Sequence, residues 1–488
     1  MQREQQLTQE NRLLAEKNAE LTKQIAAAKE QTERDRQTLD LQRDENQQLK
    51  NQPVRLPPEM VIPGHQFGPK MICLCMKLVQ KIGFRPSESA LQIVFDFLGI
   101  QDKVPSHDSM RTWACRIGVA IISKEDEQVD DEFWFADHSN QIGAEKVLSI
   151  LSIRESELPP VGQTLSRSKL KPIHLAVAKD WKTEDVRTHY RTLAKKRGKP
   201  RGLITDGAIE LRDSADVLEK PGENLLLIRD MKHKAANIFE QLIGKDARFD
   251  EYQSKVGKTR SQIQQTELSH LTSPKQKPKS RFMNLGPILR WGQMISHHLR
   301  HPDSKAREGI SAARMNEKLG WVRDFRSDLT RWSDCQQVMQ ECLSYVGRHG
   351  VSAGCAAKMR QSMEDSFSNW CGVGELAKTM SNRLVEYVEL IEAELKSGQR
   401  VWVLTDNLES SFGAFKQLEG QHSKSGFTGL VAAMPMLLTE LNPELVREAL
   451  ISIPVSKMKD WVRENLGRTL ASKRNQAYAE FAHAQLGC

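Results

Sequence analysis

No apolar run in the sequence approaches the roughly 18 to 20 residues that a membrane-spanning helix needs, and the first residues, MQREQQLTQENR, lack the apolar core of a secretion signal. These two absences predict a protein of the cytoplasm with no membrane partner. None of the eight cysteines (Cys73, Cys75, Cys115, Cys335, Cys342, Cys355, Cys371, Cys488) belongs to a Cys-x-x-Cys pair. Cys73 and Cys75 are two apart in a helical pattern and point to different faces, which argues against zinc and for reduced, buried thiols. A continuous basic helix next to the N-terminal heptads is also missing: residues 3–50 carry nine Lys/Arg and ten Asp/Glu, and only Arg55 and Lys70 follow in the next twenty. That excludes a basic zipper, which grips DNA with such a helix.

What is present is length and uneven charge. A chain of 488 residues has room for about three domains, and a hydrophobic fraction of 39% suits a globular protein with polar appendages. The net charge of +8 is concentrated: residues 167–201 hold twelve Lys/Arg, Lys195, Lys196 and Arg197 among them, against Asp180, Glu184 and Asp185. Residues 245–281 hold nine, including Lys277 and Lys279, against four acids. Such clusters neutralise phosphates and release counterions, although a solvated helix face has the same composition.

Residues 1–50 are a separate module. Asn11, Asn18, Ile25, Thr32, Leu39 and Asn46 recur at one heptad position and Leu7, Leu14, Leu21, Ala28, Asp35, Gln42 and Leu49 at the other. This spacing predicts a coiled coil whose later heptads are weak, with seam asparagines that favour a parallel, in-register homodimer. Residues 51–68, with Pro53, Pro57, Pro58, Pro63 and Gly64, form a linker. Residues 69–125 contain three short helical patterns, the third capped by Ser106 and carrying a buried stripe of Trp113, Ile117 and Ile121. They suit a helix-turn-helix-like region that offers His107, Ser109, Arg111 and Thr112 to DNA, or a purely structural bundle.

Three acidic residues carry the chemistry. Asp137 in FWFADHSN and Asp206 in GLITDGAIEL end short apolar runs that predict buried strands, and Glu409 in VWVLTDNLESSFGAFK opens an amphipathic helix after another such run. Carboxylates at strand ends are costly to bury without a compensating charge, which a divalent cation supplies. FWFADHSN, EKVLSILSI and PIHLAVAKDW predict three successive strands, TEDVRTHYRTLAKKRG a helix, GLITDGA a fourth strand and ENLLLIRD a fifth. On these residues the sequence resembles the DDE transposases of bacterial insertion sequences, whose catalytic core is RNase H-like.

The resemblance implies a multidomain α/β protein: a mixed RNase H-like sheet with flanking helices, first part 130–243 and second part 400–440, interrupted by an all-helical insertion over 244–399. Helices of unassigned role follow over 441–488. In that fold the first and fourth strands are neighbours, which would join Asp137 to Asp206. The resemblance further implies that Asp137, Asp206 and Glu409 bind two Mg²⁺ ions, with Mn²⁺ as a substitute, Asp137 bridging them. Double-stranded DNA, as transposon ends and target, would be the partner, and the location would be nucleoid-associated. Some transposases carry Tyr-x2-Arg-x3-Glu-x6-Lys; Glu409 and Lys416 match it, the latter as a DNA contact, while Trp402 and Thr405 stand where the tyrosine and arginine would be.

Asp230 and His233 follow the fifth strand and are expected as a helix cap and a surface histidine. Trp291, Trp321, Trp332 and Trp370 of the insertion are either core or a platform for an extruded base. Two other classes share these features, a catalytically silent DNA-binding derivative and an RNase H-like nuclease without strand transfer. The carboxylate trio favours an enzyme over the first, and the coil and insertion favour a transposase over the second. The seam makes one prediction by itself: light scattering of the full chain at micromolar concentration gives the mass of a dimer, and a monomer would remove the coiled coil.

Overall fold

The computed structural model describes all residues except 1, 52–53, 125–127, 139–144, 277–280, 284, 302–310, 371, 421–428, 468–474 and 482–488. Side chains at 2–7, 9, 48–51, 281, 407, 409, 411 and 419–420 are also outside the described residues. The chain divides into two units, residues 1–59 with 88–105, and residues 60–87 with 106–488.

In the first unit, α1 (Gln2–Asn51) is one uninterrupted helix whose described side chains are all exposed. Leu14, Leu21, Ile25 and Leu39 of the heptad positions are therefore uncovered in the single chain. Beyond it Val54 bridges Ile100, and the Leu56 N–H donates to Asp102 Oδ2 at 2.6 Å. The prolines keep residues 54–68 free of helix, as the linker composition predicts.

The second unit is built on five strands: β1 (Glu132–His138), β2 (Lys146–Arg154), β3 (Lys171–Ala178), β4 (Gly202–Thr205) and β5 (Leu226–Arg229), in the order β3-β2-β1-β4-β5. β1 pairs antiparallel with β2 and β2 with β3, whereas β1 with β4 and β4 with β5 are parallel. The sequence expectation that the first and fourth strands are neighbours therefore holds. Alternation sorts the side chains. Trp134, Ala136, Ile150 and Leu203 pack under Tyr190 and Leu193 of α5 (Thr183–Arg197), which Gly198 ends at φ +90°. Phe133, Phe135, Ile204 and Ile228 face the opposite way, onto α7 (Met231–Ile243). A short α6 (Ile209–Arg212) follows β4.

That second core runs without a break into the insertion. Its helices are α8 (Ala247–Ile263), α9 (Gly286–Arg300), α10 (Ala312–Leu319), α11 (Arg326–His349), α12 (Cys355–Asn369) and α13 (Glu375–Glu394). Asp246 caps α8 and Ser311 caps α10 by accepting backbone N–H bonds. The insertion is not all-helical: β6 (Val351–Ser352) pairs antiparallel with β7 (Arg400–Val401). This corrects the expectation that Val401–Thr405 adds a strand to the core. After Val401 the chain leaves the ladder as a buried connection to α14 (Asp406–Gly420).

The helix-turn-helix expectation is corrected in its details. The three helices are α2 (Pro69–Ile82), α3 (Phe84–Leu98) and α4 (His107–Ser123), with Ser106 Oγ accepting the Ser109 N–H as the cap requires. α4 buries far more than a stripe: Met110, Trp113 to Val119 and Ile122 are all buried, while Ile121 is half-buried. It packs on α2, α15 (Met434–Leu438), α16 (Pro443–Ser452) and α17 (Val455–Asn465). Gly118 lies so close to the Ala432 carbonyl that a Cβ would collide with it, and Arg116 Nε donates to Ile453 O at 2.6 Å. The middle of the helix is enclosed, and the first two turns, with His107, Ser109, Arg111 and Thr112, reach the surface, as do Ala120, Ile121 and Ser123 near its end in part. No described helix is long and apolar enough to cross a membrane.

Candidate active site

β1 and β4 run parallel with Ala136 opposite Thr205, so Asp137 and Asp206 follow as neighbours at the carboxyl ends of strands about 4.8 Å apart. By alternation both continue the rows of Phe135 and Ile204, on the α7 side of the sheet. The next residue of β1 turns the other way, where His138 Nε2 meets Glu210 Oε1 at 2.6 Å and joins the end of β1 to α6. Asp206 sits in a turn held by its own side chain: Oδ1 accepts the Ala208 N–H at 2.8 Å, and Gly207 supplies φ +91°. One carboxylate oxygen thus fixes the turn.

The third strand end on this face is Asp230, and sequence reasoning underrated it. Its N–H donates to Thr205 O at 2.7 Å, which extends the β4–β5 ladder by one residue. Its side chain caps α7 as expected, accepting the His233 N–H at 2.8 Å and His233 Nδ1 at 2.9 Å, while the other oxygen accepts the Thr405 N–H at 2.6 Å. The carboxylate is fully buried. Burial opposes its charge, but the His233 bonds and charge and the two backbone N–H donors outweigh it and hold the Asp230 pKa below its ordinary value. With three donors in place, Asp230 is a structural tie.

His233 is not a surface histidine. Burial disfavours its charged form, yet the bond and charge of Asp230, with the charges of Asp206 and Asp137, raise its pKa above 6.5. The electrostatics place it within the field of both candidate ligands. Thr405 brings the start of α14 to the same corner, where Met231 N–H donates to Val403 O at 2.9 Å and Lys232 Nζ to Asp406 Oδ1 at 3.0 Å. Glu409 lies in the first turn of α14; its side chain is outside the described residues.

The donor set fits a hard cation, since Mg²⁺ takes oxygen ligands and is commonly held by one or two carboxylates plus substrate oxygens. Among the described residues no three His, Cys, Asp or Glu side chains converge as a metal cage. Two carboxylates at adjacent strand ends are what the described geometry offers. The described cysteines are free and buried, and burial pushes the thiols of Cys75, Cys115, Cys335 and Cys342 up to about 12, so they stay protonated at neutral pH.

The expected DNA contacts are scattered. Arg111 and Lys416 are exposed, as are Lys195 and Lys196 in the last turn of α5. α5 leads into the start of β4, so these lysines sit at the end of the sheet away from Asp206, about 20 Å along the helix. Arg197 is corrected: it is buried and its Nη2 donates to Glu132 Oε1 at 2.8 Å, whose other oxygen accepts Trp134 Nε1. A desolvated carboxylate under the sheet needs a cation more than a surface phosphate does. Lys277 and Lys279 lie outside the described residues. Trp291 and Trp332 are buried in a core with Tyr252 and Phe325, which removes them as a platform, and Trp321 and Trp370 are half-buried against the same core.

The His233–Asp230 pair predicts a pH signature. A raised His233 pKa contributes stability that is complete below about pH 6.5 and lost as pH rises through the folded value, while the lowered Asp230 pKa contributes above about pH 3.8. In urea unfolding without divalent cations, wild type should lose on the order of 1–3 kcal/mol more than His233→Gln between pH 5.5 and 9. Parallel pH profiles for the two proteins would contradict the pairing.

No protein-family model matches the sequence, and no curated protein matches it. Among solved structures the chain is similar to the Drosophila P element transposase strand transfer complex, with 10% sequence identity over 78% of this chain and 94% of that one, at a TM-score of 0.39.

Proposed function

We propose that this chain is a divalent-cation-dependent transposase that nicks the ends of an element and joins the exposed 3′ hydroxyl to target DNA, on an RNase H-like core. The observation that supports it most is the parallel pairing of β1 with β4, which sets Asp137 beside Asp206 on the face that also receives the start of α14. Two Mg²⁺ ions, or Mn²⁺ in their place, would supply Lewis acidity at the phosphorus and a more acidic attacking water or hydroxyl. Asp137 and Asp206 would hold such ions with their negative charge, and Glu409, carried on α14, would be a third carboxylate for them. His233, fixed through Nδ1 by Asp230, would leave its Nε2 to meet a phosphate oxygen.

Arg111, Lys195, Lys196 and Lys416 contact DNA at a distance from the reacting phosphate, in keeping with their exposure. The heptads of α1 support a homodimer that would hold two ends together.

The test is nicking of end DNA with Mg²⁺ by wild type and Asp206→Asn, which preserves shape and removes charge. Wild type nicks, and the variant loses on the order of 100-fold or more in rate. Binding without nicking by either protein favours the silent derivative, nicking that never proceeds to joining favours the nuclease, and equal nicking by both sinks the assigned carboxylates.

A further inference from the structure

We propose that Tyr387, on the helical insertion, and Arg229, at the end of β5, are positioning residues that hold the Asp206 turn, so that the cation affinity of the carboxylate pair depends on the one hydrogen bond that Tyr387 brings from α13. The inference rests on the carboxylate-pair reading above and adds a control element to it.

β5 is the edge strand of the sheet. The Asp230 N–H points back to Thr205 O, so the preceding Arg229 carbonyl points out from the edge, where no strand can satisfy it. Tyr387 supplies the missing donor: its hydroxyl donates to Arg229 O at 2.6 Å. Burial pushes the phenol pKa well up, so the hydroxyl keeps its proton at neutral pH, and the Lys234 ammonium lies 4.9 Å from the ring centroid. The insertion thereby fixes the last peptide of β5 through one hydroxyl.

From that peptide the Arg229 side chain runs back beneath the neighbouring strand end. Nε donates to Asp206 O at 3.2 Å, and Asn237 of α7, with its carboxamide oxygen turned to the guanidinium, accepts from Nη1 at 2.8 Å and Nη2 at 2.7 Å. The guanidinium fills the space under Gly207, where a Cβ would come within 2.5 Å of Nε and 2.9 Å of Cδ. Asp206 is thus clamped on its main chain by Arg229 and on its carboxylate by the Ala208 N–H. A shift of α13 that breaks the Tyr387 bond frees the base of this clamp, and the Asp206 oxygen moves relative to Asp137.

The test is Mn²⁺ binding to the full-length protein, followed by the spin-resonance signal of the free ion, with thermal unfolding as the folding control. Tyr387→Phe removes only the hydroxyl and should weaken Mn²⁺ binding about three- to tenfold. Arg383→Ala removes a different tie of the same helix, the bond from Nη1 to Gln241 Oε1 on α7 at 3.3 Å, and should leave it unchanged. Wild-type affinity in Tyr387→Phe, or equal weakening in both variants, overturns the relay. Failure of wild type to bind Mn²⁺, or equal binding by Asp206→Asn, overturns instead the carboxylate pair on which it rests.

Discussion

Asp230 is the buried charge on which the candidate site depends. The chain leaves the sheet at β5, passes through the insertion and returns at Val403, and the two sides of that excursion meet where the Asp230 carboxylate accepts the Thr405 and His233 N–H groups. A carboxylate without water is stable only with such donors, and loss of a partner from a buried charge typically costs about 3–5 kcal/mol. The same carboxylate caps α7, orients His233 and ties the start of α14 to the end of β5. Through this one group the insertion core, the sheet and α14 share a fixed corner.

The sheet was legible because its signals are local and redundant. Each strand is a short apolar run with a turn behind it, and Asp137 and Asp206 mark the ends where the runs stop. Their adjacency is a topological fact that spacing alone does not contain, and it came from likeness to a known strand order. Ser106 was legible as a cap for the same local reason. The illegible parts depend on partners distant in sequence. VWVLT has a strand's composition, but only Val401 of it finds a ladder, because Tyr387 takes the Arg229 carbonyl at the open side of β5 and Val403 and Thr405 bond Met231 and Asp230 instead.

Charge was the least legible property. Arg197 belongs by composition to a basic cluster, yet its guanidinium neutralises Glu132 inside the fold. His233 looks like an ordinary polar residue on a helix until the strand ends bring three carboxylates to bear on it. Arg229, Asn237 and Tyr387 had no sequence signal, since a side chain that braces a turn from another element carries no fixed spacing to it. Glu409 remains a sequence-based proposal, anchored by the helix that carries it.

The account reduces to one physical claim, that the ends of β1 and β4 make a divalent-cation site from Asp137 and Asp206. Crystals of the full chain soaked in Mn²⁺ and measured for anomalous scattering test it most directly. The account predicts a peak within coordination distance of both carboxylates; a peak bound elsewhere, or none at those strand ends at saturating Mn²⁺, would contradict it.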